Sequence, residues 1–193
     1  MASNIEIKAR LSPEQWRRIQ KEALALSSVA PTILEQTDTF YTVPKGRLKL
    51  RELKDGTAEL IAYERPDRSG PEHSSYVRSS CSDAKSLHEA LARSLGVRGV
   101  VEKHRQVIHV GQTRIHLDEV VGLGSFLELE VVVQENQSLA EAEAIAAELM
   151  RAFAVTSESL IEGAYIDLLE ARSANKQENH SLGPFCTKKQ PSA

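Results

Sequence analysis

The 193-residue sequence is short of aromatic side chains, with four Phe, four Tyr and a single Trp making up 5% of the chain. So small a set leaves few to spare for a base-stacking platform. Cysteine is almost absent. Cys81 and Cys186 have no metal-ligand spacing, and free thiols in a reducing cytosol are the simplest account of them. No apolar run approaches the ~18 residues of a membrane span, and the N-terminus lacks the apolar stretch of a signal peptide. An excess of positive charge is missing too, since 24 Lys and Arg against 27 Asp and Glu leave a net charge of −3. That argues against a generally basic surface for duplex nucleic acid, so any anion site must come from local clustering. These absences point to a cytoplasmic protein without a membrane anchor, long enough for one domain with a sizeable core.

What is present is a set of segments in which charged and apolar residues alternate. Glu6, Lys8 and Arg10 interleave with Ile5, Ile7, Ala9 and Leu11. Arg47, Lys49 and Arg51 interleave with Leu48 and Leu50, and Glu128 and Glu130 with Leu127, Leu129 and Val131. Strand side chains have a period of two, so each segment carries its charges on one face and its apolar residues on the other. Taken singly, such a segment describes a sheet with one wet face and one packed face.

Helix and strand signals separate cleanly. Ser12-Pro13-Glu14-Gln15 combines an N-cap serine, a proline at the first helical position and a capping-box glutamine, predicting a helix to about Leu26. Ser82 is a candidate cap for a second helix, with Leu87, Leu91 and Leu95 four apart and Gly96 at its end. Ser138 and Glu141 form another capping box, opening a helix to about Phe153, and a last helix is expected over Glu158 to Ala171. Strands are expected at Arg47–Leu53 and Ala58–Arg65 around an Asp55-Gly56 turn, then at Val100–Val110, Thr113–Val120 and Phe126–Val133. Phe40–Tyr41 and Tyr76–Ser79 are weaker strand signals. Residues 1–171 read as one domain and the polar segment 172–193 as a disordered tail.

The charges fall in phase from strand to strand. Ile61, Tyr63 and Arg65 share a face, as do Val101, Lys103, Arg105 and Val107, then Arg114, His116 and Asp118. Like charges opposite one another destabilise a sheet, so several cations gathered on one face call for an anion, and a polyphosphate suits the planar fork of Arg and the compact charge of Lys. Glu6, Glu128 and Glu130 are hard-oxygen donors of the kind that take Mg²⁺ or Mn²⁺. His104 and His116 read as ordinary hydrogen-bonding histidines, Tyr63 and Phe126 as packing residues, and Gly122-x-Gly124 as a turn.

Asn4-Ile5-Glu6-Ile7-Lys8 resembles the Glu-x-Glu-x-Lys signature of the CYTH family of triphosphate tunnel metalloenzymes, which includes class IV adenylyl cyclases, thiamine triphosphatases and inorganic triphosphatases. The resemblance continues in order through Gln36–Tyr41, Gly46–Arg51, Tyr63–Pro66, Val101-x-Lys103-x-Arg105, Arg114–Asp118 and Phe126–Glu130. It implies an α+β fold, an antiparallel eight-stranded β-tunnel with helices packed outside and charges lining the inside. By position, Lys8, Arg47, Lys49, Arg51, Arg65, Lys103, Arg105 and Arg114 would bind the triphosphate. Glu6, Glu128 and Glu130 would bind Mg²⁺ or Mn²⁺, and Lys8, Arg65 and Asp118 would serve the chemistry, Asp118 as a further acid or a structural partner of the cations. Asn4 replaces the first glutamate of the signature, which implies weaker or fewer bound metals, because ligand charge tunes the affinity for hard cations. The implied activity is hydrolysis of a triphosphate-bearing small molecule (tripolyphosphate, thiamine triphosphate or ATP) by a monomer or homodimer. The alternatives are cyclisation of ATP to cyclic AMP and a catalytically weak polyphosphate or nucleotide binder.

Overall fold

The computed structural model describes residues 2–66 and 70–181. Eight strands form one closed antiparallel barrel: β1 (Ala2–Arg10), β2 (Thr32–Tyr41), β3 (Arg47–Leu53), β4 (Ala58–Glu64), β5 (Glu72–Cys81), β6 (Val97–Val110), β7 (Thr113–Val120) and β8 (Gly124–Val132). Their order around the barrel is β1-β5-β4-β3-β2-β6-β7-β8, with β1 pairing back onto β8. Outside it lie α1 (Pro13–Leu26), α2 (Ala84–Leu95), α3 (Leu139–Ala152) and α4 (Tyr165–Ser181). No helix among the described residues is long and apolar enough to cross a membrane.

Local chemistry explains most element ends. The capping boxes at Ser12/Gln15 and Ser138/Glu141 both form. The β3–β4 hairpin turns at Gly56 (φ 87°), where the Asp55 carboxylate accepts from the Thr57 amide at 2.9 Å. At α2 the cap is Asp83, whose carboxylate accepts from the Ser86 amide at 3.0 Å, one residue beyond the expected Ser82. The expected last helix begins later and runs further: Ser157–Ser159 is a short 3₁₀ turn, and α4 continues to Ser181. Residues 182–193, with Cys186 and the rest of the expected tail, lie outside the described residues. Strands β2 and β5 extend well beyond the short segments expected at Phe40–Tyr41 and Tyr76–Ser79. Cys81 is unpaired.

The apolar core lies outside the barrel. Ile5, Ile7 and Ala9 of β1, Ile115 and Leu117 of β7, and Leu127, Leu129 and Val131 of β8 point outwards. They pack against Ile19 and Ala23 of α1, and Ala142, Ala146 and Leu149 of α3. Burial of each large aliphatic side chain stabilises the fold by about 1.5–3 kcal/mol, so this shell is what holds the closed sheet. The opposite faces of the same strands line a cavity of about 350 Å³ whose wall mixes charged residues with apolar and aromatic ones. A smaller apolar cluster joins Phe40, Val101, Val120 and Phe126 to Ala164, Tyr165 and Ile166, where the start of α4 meets the barrel.

Candidate functional site: a charged barrel lumen

Strand register assembles the lumen. Across β1 and β8, Glu6 lies opposite Glu130 and Lys8 opposite Glu128, while across β7 and β8, Arg114 faces Glu130 and His116 faces Glu128. On the other side, Asp38 of β2 pairs with Arg51 of β3, and Arg105 of β6 with Asp118 of β7. The register thus places the three glutamates on neighbouring strands and distributes cations around the remaining wall.

Two aspartates organise the cations. Asp38, 1% exposed, accepts from Lys49 Nζ at 2.9 Å and from Arg51 Nε and Nη2 at 2.8 and 3.0 Å, with Lys103 Nζ 3.7 Å away. Burial alone would raise its carboxyl, but Arg51, Lys49 and Lys103 outweigh burial and hold it well below the usual carboxylate range. Asp118, 0% exposed, takes both Nε and Nη2 of Arg105 at 2.6 Å and the Tyr165 hydroxyl at 2.9 Å. Such two-pronged contacts fix a guanidinium plane as well as its charge. Lys103 differs from its neighbours, because its nearest carboxylate oxygens lie at 3.7 and 4.0 Å. Burial and the Arg105 charge push its ammonium down to about 7, against the opposing pull of Asp118 and Asp38.

The glutamates are each held by cations. Glu6 pairs with Arg65 at 3.1 Å, Glu128 with Arg105 and with Lys8 at 3.4 Å, and Glu130 with Arg114 at 2.6 Å. Burial, then the charge of Glu128, raises the Glu6 carboxyl despite Arg65. Glu128 instead falls well below its usual range, as Lys8 and Arg105 overcome the burial effect. His116 sits between them, with Nδ1 3.6 Å from Glu128 and Nε2 3.6 Å from Glu130. Burial and Arg105 lower its pKa.

The structure brings together Lys8, Lys49, Arg51, Arg65, Lys103, Arg105, Arg114, Glu6, Glu128 and Glu130 on one cavity wall. Arg47 and Asp118 are placed differently. Arg47 reaches Asp167 of α4 at 2.8 Å, and Asp118 lies beneath the wall behind Arg105. Sequence reasoning gave no role to Asp38, Tyr165 or Asp167. Asp38 is in phase with Gln36 and Phe40, a usable but faint signal. Tyr165 and Asp167 come from a helix start whose approach to the barrel no periodicity reveals. His116, read as an ordinary hydrogen-bonding histidine, faces the lumen, and its Nδ1 has no hydrogen-bond partner. Phe126 packs as expected, its ring 4.9 Å from that of Tyr165.

A divalent cation is a reasonable test of the acidic side. Among the described residues, no three carboxylate or imidazole side chains are gathered closely enough to hold a metal as they stand. The donor chemistry nevertheless fits a hard cation. The three carboxylates are joined by a buried Asn4 amide oxygen without a hydrogen-bond partner, and the Glu6–Glu128 repulsion is one that a cation relieves.

No curated protein matches the chain significantly. Solved structures do. The PH1012 protein from Pyrococcus horikoshii OT3 superposes with a TM-score of 0.74 at 24% identity, covering 86% of this chain and 98% of the other. An adenylate cyclase candidate from Vibrio parahaemolyticus gives 0.67 at 19% identity, over 86% and 97%. An adenylyl cyclase candidate from Hippeastrum, described as revealing a dominant triphosphatase activity, gives 0.59 at 16% identity, over 90% and 96%. At these identities the structural likeness establishes the fold. The sequence goes further: the CYTH domain model matches residues 2–165, from β1 to the first residue of α4, and so takes in every strand of the charged barrel. This chain belongs to the CYTH family.

Proposed function

We propose that the protein is a metal-dependent triphosphatase that hydrolyses the terminal phosphoryl group of a triphosphate inside the barrel. The observation that carries this is the charge of the cavity inside the barrel. Eight cationic side chains line it, the seven named above and Arg78, against the four acids Glu6, Asp38, Glu128 and Glu130. Like charges so crowded favour a polyanion that can touch many of them together.

In the reaction, water attacks the terminal phosphorus, the bond to the bridging oxygen breaks, and orthophosphate leaves with the shortened phosphate chain as co-product. Arg51 and Arg105 are held rigid by Asp38 and Asp118, so they meet the phosphate oxygens without reorganising, which is where preorganised charge contributes most. Lys8, Lys49, Lys103 and Arg114 neutralise charge along the chain. Asp118, behind the wall, acts by positioning Arg105. Phe40, Phe126 and Tyr165 restrict water beside the site. Glu6, Glu128 and Glu130 would hold Mg²⁺ or Mn²⁺, which when bound polarises a phosphoryl oxygen.

A second reading, a polyphosphate binder with weak turnover, is favoured by the fact that each lumen carboxylate is already paired with a cation. The cyclase reading draws on the relatives described as adenylate cyclase candidates, but the dominant triphosphatase activity of the Hippeastrum protein favours hydrolysis. Incubation of pure protein with Mg²⁺ or Mn²⁺ and tripolyphosphate, thiamine triphosphate or ATP, with separation of the products, discriminates the three. Orthophosphate release is expected, and Glu128→Gln should abolish it. Cyclic AMP with pyrophosphate would replace hydrolysis by cyclisation for ATP. Calorimetric binding without turnover would leave a binder.

A further inference from the structure

Glu130 differs from the two acids beside it. Its Oε1 accepts a hydrogen bond from Nδ2 of Asn4, and its Oε2 accepts one from Nε of Arg114 at 2.6 Å. Both of its oxygens face donors of the protein itself, as do those of Glu128, but one of the donors at Glu130 is a neutral amide. Glu6 is held at Oε2, by Arg65 at 3.1 Å. At Glu128, Oε2 faces Arg105, while Oε1 meets Lys8 in an ion pair at 3.4 Å. An ammonium on a flexible stem is easily drawn away by a phosphate, whereas a neutral buried amide gains nothing from leaving a carboxylate.

Asn4 is 0% exposed and lies between Ser74 of β5 and Val132 of β8, two residues before Glu6 on the same face of β1. A carboxylate in its position would face Glu130 at hydrogen-bond distance, and two buried anions so close need a cation or a proton between them. The amide N–H supplies the positive end of a dipole there instead.

We propose that Asn4 takes the place of a divalent cation on Glu130, so that this barrel holds one divalent cation, on Glu6 and Glu128, while Glu130 stays the partner of Arg114. Water and phosphate oxygens complete the shell of a hard ion bound by two carboxylates. This rests on the triphosphatase reading for the use of the metal and narrows its three acids to two, but the metal count is a property of the protein alone.

The test is Mn²⁺ titration followed by electron paramagnetic resonance, which counts bound ions without turnover, with circular dichroism to confirm folding of each variant. The wild type should bind one Mn²⁺ per chain, Asn4→Glu two, and Glu130→Gln one, while Glu6→Gln and Glu128→Gln should lose it. A wild-type count of two or none, or loss of the ion in Glu130→Gln, overturns the proposal. So does an Asn4→Glu variant that is folded and still binds one. Tripolyphosphate calorimetry on the same samples reports separately on the triphosphatase reading. A protein that binds one Mn²⁺ and no tripolyphosphate would sink that reading and leave the count standing.

Discussion

Leu129 and Glu130 are adjacent in sequence and lie on opposite sides of one sheet. Leu129 is fully buried in the shell between barrel and helices, among Ile7, Leu127 and Ala146. Glu130 faces inwards, onto Arg114 and Asn4. The barrel thus has two interiors. The outer one is apolar and close-packed, and its contribution to stability is non-directional and additive in area. The inner one gathers ionised groups whose desolvation cost is offset only by specific partners. The comparison teaches that the outer shell stabilises the fold by apolar area, whereas the inner wall is stable only while its charges stay paired. The outer shell can therefore be perturbed without disturbing the inner charges.

The largest expected effect is in the inner region. Asp38→Ala leaves Lys49, Arg51 and Lys103 crowded without their shared anion, and breaking a buried charge cluster costs about 3–5 kcal/mol. Urea denaturation measures it, and added tripolyphosphate should recover part of the loss by replacing the missing anion. A loss that tripolyphosphate leaves untouched would mean that Asp38 has no bearing on the anion site. In the outer region, Leu129→Ala should cost about 2–5 kcal/mol by the same melts. The affinity of the folded protein for tripolyphosphate should stay unchanged, and a parallel fall in affinity would break the separation of the two interiors.

A smaller effect concerns pH. Lys103 faces Asp38 from β2, Asp118 from β7, Arg51 from β3, Arg105 on its own strand and the Tyr165 ring from α4. With its ammonium lowered to about 7, it is protonated below that pH and neutral above it. A bound polyanion favours the charged form, so binding takes up a proton, and affinity should fall above about pH 7 by up to about tenfold per pH unit. Calorimetry at several pH values checks this. Lys103→Arg, charged throughout, should flatten that segment of the profile, and an unchanged slope would discount Lys103 as the titrating group. The smallest effect is at the seam between the barrel and α4. Asp167→Ala removes the acceptor of the Ala164 amide and a partner of Arg47 and Arg98, and should lower stability by about 1 kcal/mol. Thermal melts measure it, and a loss several times larger would make α4 part of the inner region's support.

Much of the site was legible because alternation is a local property. Lys8, Lys49, Arg51, Lys103, Arg105 and Arg114 could be put on one face by counting in twos. β2 and β5 were harder to see as strands. In Glu72–Cys81 serines occupy both faces, and in Thr32–Tyr41 Thr37 and Thr39 face outwards while Gln36 and Asp38 face in, so neither shows a clean polar–apolar contrast. Asp38 escaped notice for the same reason. Tyr165 was hidden more deeply, since it enters the barrel from the first turn of a helix whose sequence reads only as a helix.

By itself the sequence determined which residues share a face, where the capped helices α1 and α3 begin, and that the family's charged ladder is present, because each depends on spacing along the chain. Residue spacing alone left open whether the charged face is a wet surface or a lining. The family resemblance implied a tunnel, and the tertiary structure shows that the face is an interior. Closure of β1 onto β8 turns one side of a sheet into a lumen, and no local pattern encodes closure. It also decided the pairings. Asp38 with Arg51, Asp118 with Tyr165 and Asn4 with Glu130 are contacts between strands, or between strand and helix, set by register and packing. Through those contacts Lys103 is lowered, Arg105 is fixed and Glu130 is occupied, because the energy of a buried charge is set by its partners in space.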